Sequence, residues 1–534
     1  LMICTFTIHN GVLPPNIMEA RNLVTAREMV TENNWLQPTM NGELRLEKPP
    51  LPTWITACSM ILSGQDNHSL LRLPSALAAM LLIFFLFRLT KELTEDPLLP
   101  WLAAGTASTS FYLFFLARDI SWDMFCHSFM LGAIWLLYKG LKNKELRYAP
   151  FAGSAVLMGL SFLSKGPVAF YALLLPWILA ICLTGKHHNL NFHPKGIALV
   201  TLLALALSSI WPVYIFTAFP DYASAIAIQE STAWINREVK PFYHYWSFTA
   251  QSGIWVLPAT FSLFIPFLGK RPAVKENYLP VVLWTLLSVV LLSIMPEKKE
   301  RYLFPVLIPL SIATAFYFRA ITDIFSEGKE GKWDRILLLV NGILMILIAF
   351  LIPFAFIYMV RQSGHAPEFI PVFFAFAGFW SIGIFMVRAL KQKTALHIWL
   401  GMVLLVASTT VLLLGNTPEI ITKNQQYRPY AELRKNPKVA GLPFFFSEKR
   451  DNKLIEVIWA CGRKIQYPKD PEKKELPGAD AFVLLSPKEP AEIFPHELLS
   501  GYNIETIGLF DANLHEKWGG KILRNWVTVF RKKE

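Results

Sequence analysis

Pro14-Pro-Asn-Ile-Met-Glu-Ala-Arg-Asn22, a short helix-patterned run, and then Asn41-Gly-Glu-Leu-Arg-Leu-Glu-Lys-Pro-Pro-Leu-Pro-Thr-Trp54 make a polar island in an apolar chain. Glu19, Arg21, Arg27, Glu28, Glu43, Arg45, Glu47 and Lys48 all lie within it. A charged segment at the start of such a chain is either a solvated loop or a site. Two features favour a site. Glu19 and Arg21 stand two residues apart beside a turn set by Pro14 and Pro15. Lys48 directly precedes Pro49-Pro50, and proline fixes its own φ and restricts the residue before it. A lysine held in that way suits a phosphate.

Around the island the 534 residues are 53% hydrophobic and only 17% charged, against about 25% charged in soluble domains. With mean hydropathy +0.38, this is an all-α polytopic membrane protein. The net charge of +12 fits cytoplasmic loops and membrane lipids as partners, and nothing calls for nucleic acid. Five cysteines without a C-x-x-C spacing make neither a disulfide framework nor a zinc knuckle. Residues 1–8 are too few to span, since a crossing needs about 20 residues. They are expected to be the last turn of a first helix not contained in the sequence.

Apolar runs predict twelve spans: 74–90, 99–117, 123–139, 150–164, 167–185, 196–216, 251–269, 278–295, 303–319, 335–360, 368–388 and 396–415. Residues 51–64 read as a helix lying in the interface. One alternating set of short loops holds 18 Lys and Arg and the other 8. The positive-inside rule therefore puts 9–73, 217–250 and the C-terminal tail outside. Residues 1–415 form the membrane domain. Residues 416–534 are expected to form a small extracytoplasmic α/β domain, with strand-like runs at Gly441–Phe446, Leu454–Trp459, Ala481–Leu485 and Val527–Phe530 and a linker at Tyr467–Pro477.

The outer side gathers ionisable groups where few are expected. Asp123 follows the turn Arg118-Asp-Ile-Ser-Trp122 and is either a helix cap or a carboxylate facing a cavity. Lys165, in Ser164-Lys-Gly-Pro167, separates two apolar helices. It either snorkels to the surface or marks a site. Pro296-Glu-Lys-Lys-Glu-Arg-Tyr302 adds Arg301 and Tyr302. The loop 217–250 contributes Arg237, Lys240 and His244 among aromatic residues, a composition that an interfacial aromatic belt also gives. Cations converging with the carboxylates Glu19 and Asp123 suit glycosyl or phosphoryl transfer: cations hold a leaving phosphate and a carboxylate deprotonates an acceptor. Glu47 and His244 could ligate a divalent metal but are two scattered residues, not a site. No other cofactor is expected.

Glu19-Ala-Arg21, Ala26-Arg-Glu-Met29, Asn34-Trp35, Asn41-Gly-Glu43, Glu47-Lys-Pro-Pro-Leu51 and Trp54 together resemble the bacterial GT-C glycosyltransferases. More narrowly, they resemble the family of lipid A aminoarabinose transferases and protein O-mannosyltransferase-like enzymes. Leu71-Arg-Leu-Pro-Ser75, Lys165-Gly166 and Arg301-Tyr-Leu-Phe-Pro305 follow in the same order. The resemblance implies about thirteen helices and an outer cavity in a bacterial inner-membrane protein. It implies transfer of a sugar from a polyprenyl-phosphate carrier to an extracytoplasmic glycolipid or protein acceptor. By position, Lys48, Lys165, Arg301 and Tyr302 would surround the carrier phosphate, with Arg21 in the same pocket and Asp123 as the second acidic position. The chain departs from the family at Met18-Glu19, where the family commonly has Asp-Glu and the Asp is taken as the base. Glu19 or Asp123 would then serve, or the acceptor is already an anion and needs no base. A flippase for lipid-linked sugars would use the same cavity without chemistry. It would be expected to show related halves with broken helices, and no such repeat is visible. A pseudo-enzyme remains the other alternative.

Overall fold

A computed structural model describes residues 1–264, 277–448, 454–468, 476–515 and 523–533. Two masses are built on one another: a bundle of apolar helices and a polar cap that closes one end of it.

The bundle follows from the apolar runs. Among the described residues seven helices are long and apolar enough to cross a membrane: His68–Leu93, Trp122–Lys142, Pro194–Ala218, Glu300–Ser326, Lys332–Gln362, Phe369–Lys391 and Ala395–Asn416. The other expected runs also fall on helical segments, which are shorter, bent or less apolar. Leu99–Ser108 and Phe111–Ala117 make an eighth only as a pair bent by 65°, broken where Thr109 and Ser110 leave the helical path. Phe170–Leu183 and Tyr278–Ile294 are apolar but short. The expected span 251–269 is a 3₁₀ segment interrupted at Gly253 (φ 68°) and then the short helix Val256–Ser262; its residues 265–269, and the loop 270–276, lie outside the described residues.

Hydroxyls stitch the bundle together. Ser128 donates to Ala78 O (2.8 Å), Ser154 to Ala133 O (2.9 Å) and Ser161 to Cys126 O (2.8 Å), the small-residue polar contacts that let helices approach in lipid. Gly132 is needed for the same reason, because a Cβ there would stand 2.5 Å from the Phe85 ring.

The cap begins at the polar island. Asn16 starts the helix Ile17–Glu32 with a capping box completed by Glu19, which satisfies two of the orphan amides at the helix start. A two-residue hairpin follows, β1 (Thr39–Met40) against β2 (Glu43–Leu44). Its turn is Asn41 (φ 57°) and Gly42 (φ 83°), the pairing that a twisted hairpin requires. Glu28 fastens this turn from below, accepting from Thr39 Oγ1 (2.7 Å), Asn41 N (2.8 Å) and Gly42 N (3.0 Å). Helix Leu51–Ser63 comes next, so the expected segment 51–64 is helical.

The C-terminal part supplies a five-stranded sheet in the order β4-β3-β5-β7-β6. The strands are β3 (Phe444–Phe446), β4 (Ile465–Gln466), β5 (Ala481–Ser486), β6 (Tyr502–Asp511) and β7 (Arg524–Lys532). β3 pairs in parallel with β4 and β5, whereas β5–β7 and β7–β6 are antiparallel. The expected strand Leu454–Trp459 is instead the helix Ile455–Cys461. Residues 469–475 of the expected linker lie outside the described residues.

One apolar cluster joins the sheet to the island. Ala20, Leu23, Val24 and Met29 pack with Val457, Ile458, Phe446 and Val527. Asn41 adds a two-way pairing with the main chain of Ile465, Nδ2 to O at 2.8 Å and N to Oδ1 at 2.9 Å. The outer sheet therefore holds the segment leading to Glu47 and Lys48 in place.

Candidate active site

The site forms where the cap meets one end of the helices His68–Leu93, Trp122–Lys142 and Tyr148–Lys165. Glu19, 2% exposed, meets Arg72 in a bidentate pair, Nε to Oε1 and Nη2 to Oε2, both 2.7 Å. Its remaining lone pairs accept from Ile120 N (3.1 Å) and Asn16 N (3.1 Å). The second Arg72 branch donates to Asn10 O and Leu13 O, each at 2.9 Å. All four acceptor positions of Glu19 are used in these contacts. They make Glu19 a buried clamp that fixes the start of the Ile17–Glu32 helix on the bundle.

Asp123 stands in the first turn of its helix and is 4% exposed. Lys165, the last residue of the Tyr148–Lys165 helix before Gly166 turns the chain at φ 70°, forms an ion pair with it. Each charge lies at the helix end whose dipole favours it. The Lys165 ammonium also lies 5.5 Å from the Tyr302 ring centroid, and the Arg301 guanidinium 5.7 Å from the same ring. Four of the expected site residues, Asp123, Lys165, Arg301 and Tyr302, are thus brought together from three helices.

Arg21 approaches from the cap. Burial pulls its guanidinium below the usual range; Glu47 opposes this, while the like charges of Arg301 and Arg237 add to it. Among the described residues, Arg21 Nε and Arg301 Nε are buried without a hydrogen-bond partner. Such donors are costly to leave unmet and are expected to meet an acceptor. Glu47 pairs with Arg45 at 3.2 Å. Arg45 is anchored by Arg21 O (2.7 Å) and Thr25 Oγ1 (2.9 Å) and lies 5.4 Å over the Trp122 ring. Lys48 follows, half-buried, in the turn that this anchoring fixes.

The residues expected from the loop 217–250 contact the 296–302 turn. Arg237 pairs with Glu297 at 2.8 Å, Lys240 N donates to Pro296 O (3.3 Å), and His244 Nε2 lies 3.0 Å from Glu300 Oε1. They latch the segment after the helix Pro220–Asn236 to the turn that leads into Arg301. The described residues hold no group of three or more His, Cys, Asp or Glu that could bind a metal.

Two carboxyls escaped the sequence reading. Asp119 lies between Glu19 and Asp123. Burial, with Glu19 adding to it, pushes its carboxyl well above the usual range, and Asn16 Nδ2 donates to it at 3.2 Å. It sat in the quoted turn but was read only as a neighbour of Asp123. Glu456 comes from the outer domain, in the first turn of the helix Ile455–Cys461. Burial pushes its carboxyl up to about 7, with Arg21 opposing. No local pattern signals it, because it lies more than 400 residues from Arg21 in sequence. Arg72 was visible only as part of the quoted Leu71–Ser75 motif.

Comparison with known proteins agrees with this architecture. Residues 47–212 match the family described as dolichyl-phosphate-mannose-protein mannosyltransferase. The undecaprenyl phosphate-alpha-4-amino-4-deoxy-L-arabinose arabinosyl transferase of Edwardsiella ictaluri is 26% identical over 352 residues, covering 62% of this chain and 58% of the relative. Its counterpart in Shewanella sediminis is 26% identical over 369 residues, covering 66% and 63%. The chain thus spans about three-fifths of the length of these relatives. The crystal structure of ArnT from Cupriavidus metallidurans bound to undecaprenyl phosphate superposes with a TM-score of 0.66 at 16% identity, over 99% of this chain and 96% of that one. The apo structure of the same protein gives 0.64. The chain is a polytopic membrane protein with the GT-C glycosyltransferase fold, similar in sequence to the aminoarabinose transferases.

Proposed function

We propose that the protein is an integral-membrane glycosyltransferase that moves a sugar from a polyprenyl-phosphate carrier to an acceptor on the outer face of a bacterial inner membrane. The observation that carries this reading is the pair of half-buried arginines, Arg21 and Arg301, whose buried Nε donors lack hydrogen-bond partners among the described residues, with Lys165 and Tyr302 beside Arg301. Lys48 sits in the turn that Arg45 braces. In transfer, an acceptor oxygen bonds to the anomeric carbon while the bond from that carbon to the phosphate oxygen breaks. The electron pair stays on the phosphate. Preorganised cations stabilise the charge as it develops.

The acceptor that fits is one already anionic. Met18 takes no proton, Glu19 is saturated, and Asp123 is engaged with Lys165. A lipid phosphate needs no base, whereas a protein hydroxyl does. A phosphorylated glycolipid of the lipid A type meets that description, and it is also the class suggested by the aminoarabinosyl transferases among the relatives. The test is to incubate purified protein with radiolabelled undecaprenyl-phosphate sugar and three acceptors: a phosphorylated glycolipid, the same lipid after phosphatase treatment, and a Ser/Thr peptide. Label moving only to the phosphorylated lipid supports the reading. Label moving equally well to the dephosphorylated lipid or the peptide refutes the anionic acceptor. Carrier binding without transfer to any of them favours the flippase.

A further inference from the structure

The helices His68–Leu93 and Trp122–Lys142 begin at the site and end, roughly 30–40 Å away at 1.5 Å per residue, around a separate cavity of about 730 Å³. That volume is in the range of small-molecule sites, about 300–1,000 Å³. One wall is apolar and aromatic: Phe87 and Trp101 meet edge to face with ring centroids 4.7 Å apart, and Tyr138 and Ile181 extend the surface. Trp101 is 63% exposed, a placement that suits an indole at a membrane interface.

The polar rim carries Lys91, Lys142 and Lys186 against Glu92, Glu95 and Asp96. Half of these charges are already committed. Lys142 Nζ lies 3.3 Å from Glu92 Oε2 and donates to Glu92 O at 2.8 Å. Asp96 caps the next helix through Leu98 N (2.7 Å) and pairs with Arg319. Lys91, Lys186 and Glu95 make no ion pair among the described residues, although all three line the same cavity. Two ammonium groups and one carboxylate without a partner, above an apolar wall open at an aromatic edge, recognise a phosphate that carries an amine beside it.

We propose that this cavity binds the headgroup of a zwitterionic phospholipid of the phosphatidylethanolamine type, from the leaflet opposite the active site. Lys91 and Lys186 take the phosphate, Glu95 takes the ammonium, and the acyl chains leave along Phe87 and Trp101. A purely anionic headgroup would leave the Glu95 carboxylate without a counter-charge. Selectivity comes from pairing both charges of one headgroup. The inference stands apart from the proposed transfer reaction and survives or fails without it.

The test is native mass spectrometry of the delipidated full chain, titrated with phosphatidylethanolamine and with phosphatidylglycerol of identical chains. Wild type is expected to retain the ethanolamine lipid preferentially. Lys91→Glu/Lys186→Glu is expected to weaken that binding by at least about tenfold, roughly the worth of one charge-assisted contact. Glu95→Lys is expected to turn the preference toward phosphatidylglycerol. The three side chains make no ion pair in the described structure, so these variants should remain monodisperse. Should the double variant not fold, Glu95→Lys alone decides. Equal retention of the two lipids by wild type overturns the proposal, as does preference for phosphatidylglycerol or an ethanolamine preference that none of the substitutions changes.

Discussion

Replacing Glu19 by Gln separates a structural clamp from a catalytic base. The Glu19–Arg72 pair is bidentate at 2.7 Å, and its side chains are 2% and 4% exposed. The amide keeps the shape and one acceptor but removes the charge, which leaves a buried guanidinium uncompensated. Removing one partner of such a pair costs about 3–5 kcal/mol. Two carbonyls still accept from Arg72, which places the expected loss near the lower end, about 3 kcal/mol. The readout is the thermal inactivation half-life in detergent, because unfolding of a protein of this kind is expected to be irreversible. Glu19→Gln should shorten it and release the outer cap first, seen as hydrogen exchange across 16–32. Glu19→Gln/Arg72→Met removes both charges and should recover most of the loss. A Glu19→Gln protein as long-lived as wild type, yet unable to transfer sugar, would refute the clamp and restore Glu19 as a catalytic group.

Arg301→Ala and Arg21→Ala should each weaken binding of undecaprenyl phosphate by about 10- to 100-fold, since a hydrogen bond to a charged group contributes about 1.5–3 kcal/mol; calorimetric titration measures this. Asn41→Ala removes both contacts to Ile465 and should cost about 1–2 kcal/mol, read as faster amide exchange in β4 and in the hairpin. Burial raises the Glu456 carboxyl to about 7 from the unfolded value of about 4.3. Its contribution to folding is therefore fully present below about 4.3 and is lost as pH rises through about 7. Glu456→Gln should flatten the fall in outer-domain stability between those values, followed by thermal melts across pH. Gly132→Ala pushes a methyl against Phe85 and should cost about 1–3 kcal/mol by overpacking.

The parts of the fold that were legible in the sequence are those set by local chemistry. The polar island announced itself by charge in an apolar chain, and Asp123 and Lys165 by their places at helix ends. What local pattern does not encode is which distant residue completes each contact. Glu19 was read as a free carboxylate because Arg72 lies 53 residues on. Glu456 was invisible because the outer domain was read as an accessory. The run Leu454–Trp459 was taken for a strand, but short apolar runs fit either structure, and burial on α-helical contacts with the Ile17–Glu32 helix decided otherwise. Hydropathy placed the apolar runs but does not register breaks inside them, such as those at Thr109 and Gly253. Of the loop cations, Arg237 pairs with Glu297 across the sequence, and Lys240 meets Pro296 through its main-chain N rather than its ammonium.

The central claim is that Arg21, Lys165 and Arg301 hold the carrier phosphate while a sugar leaves it. Single-turnover transfer tests this most directly: pre-bound undecaprenyl-phosphate [¹⁴C]sugar is mixed with a phosphorylated glycolipid, and label in the product is followed together with free undecaprenyl phosphate. Wild type should release one undecaprenyl phosphate per label transferred, and Arg301→Ala should lose both at saturating donor. Equal transfer by wild type and Arg301→Ala at saturating donor would contradict the account, and so would a wild-type protein that binds the donor and leaves the sugar on it.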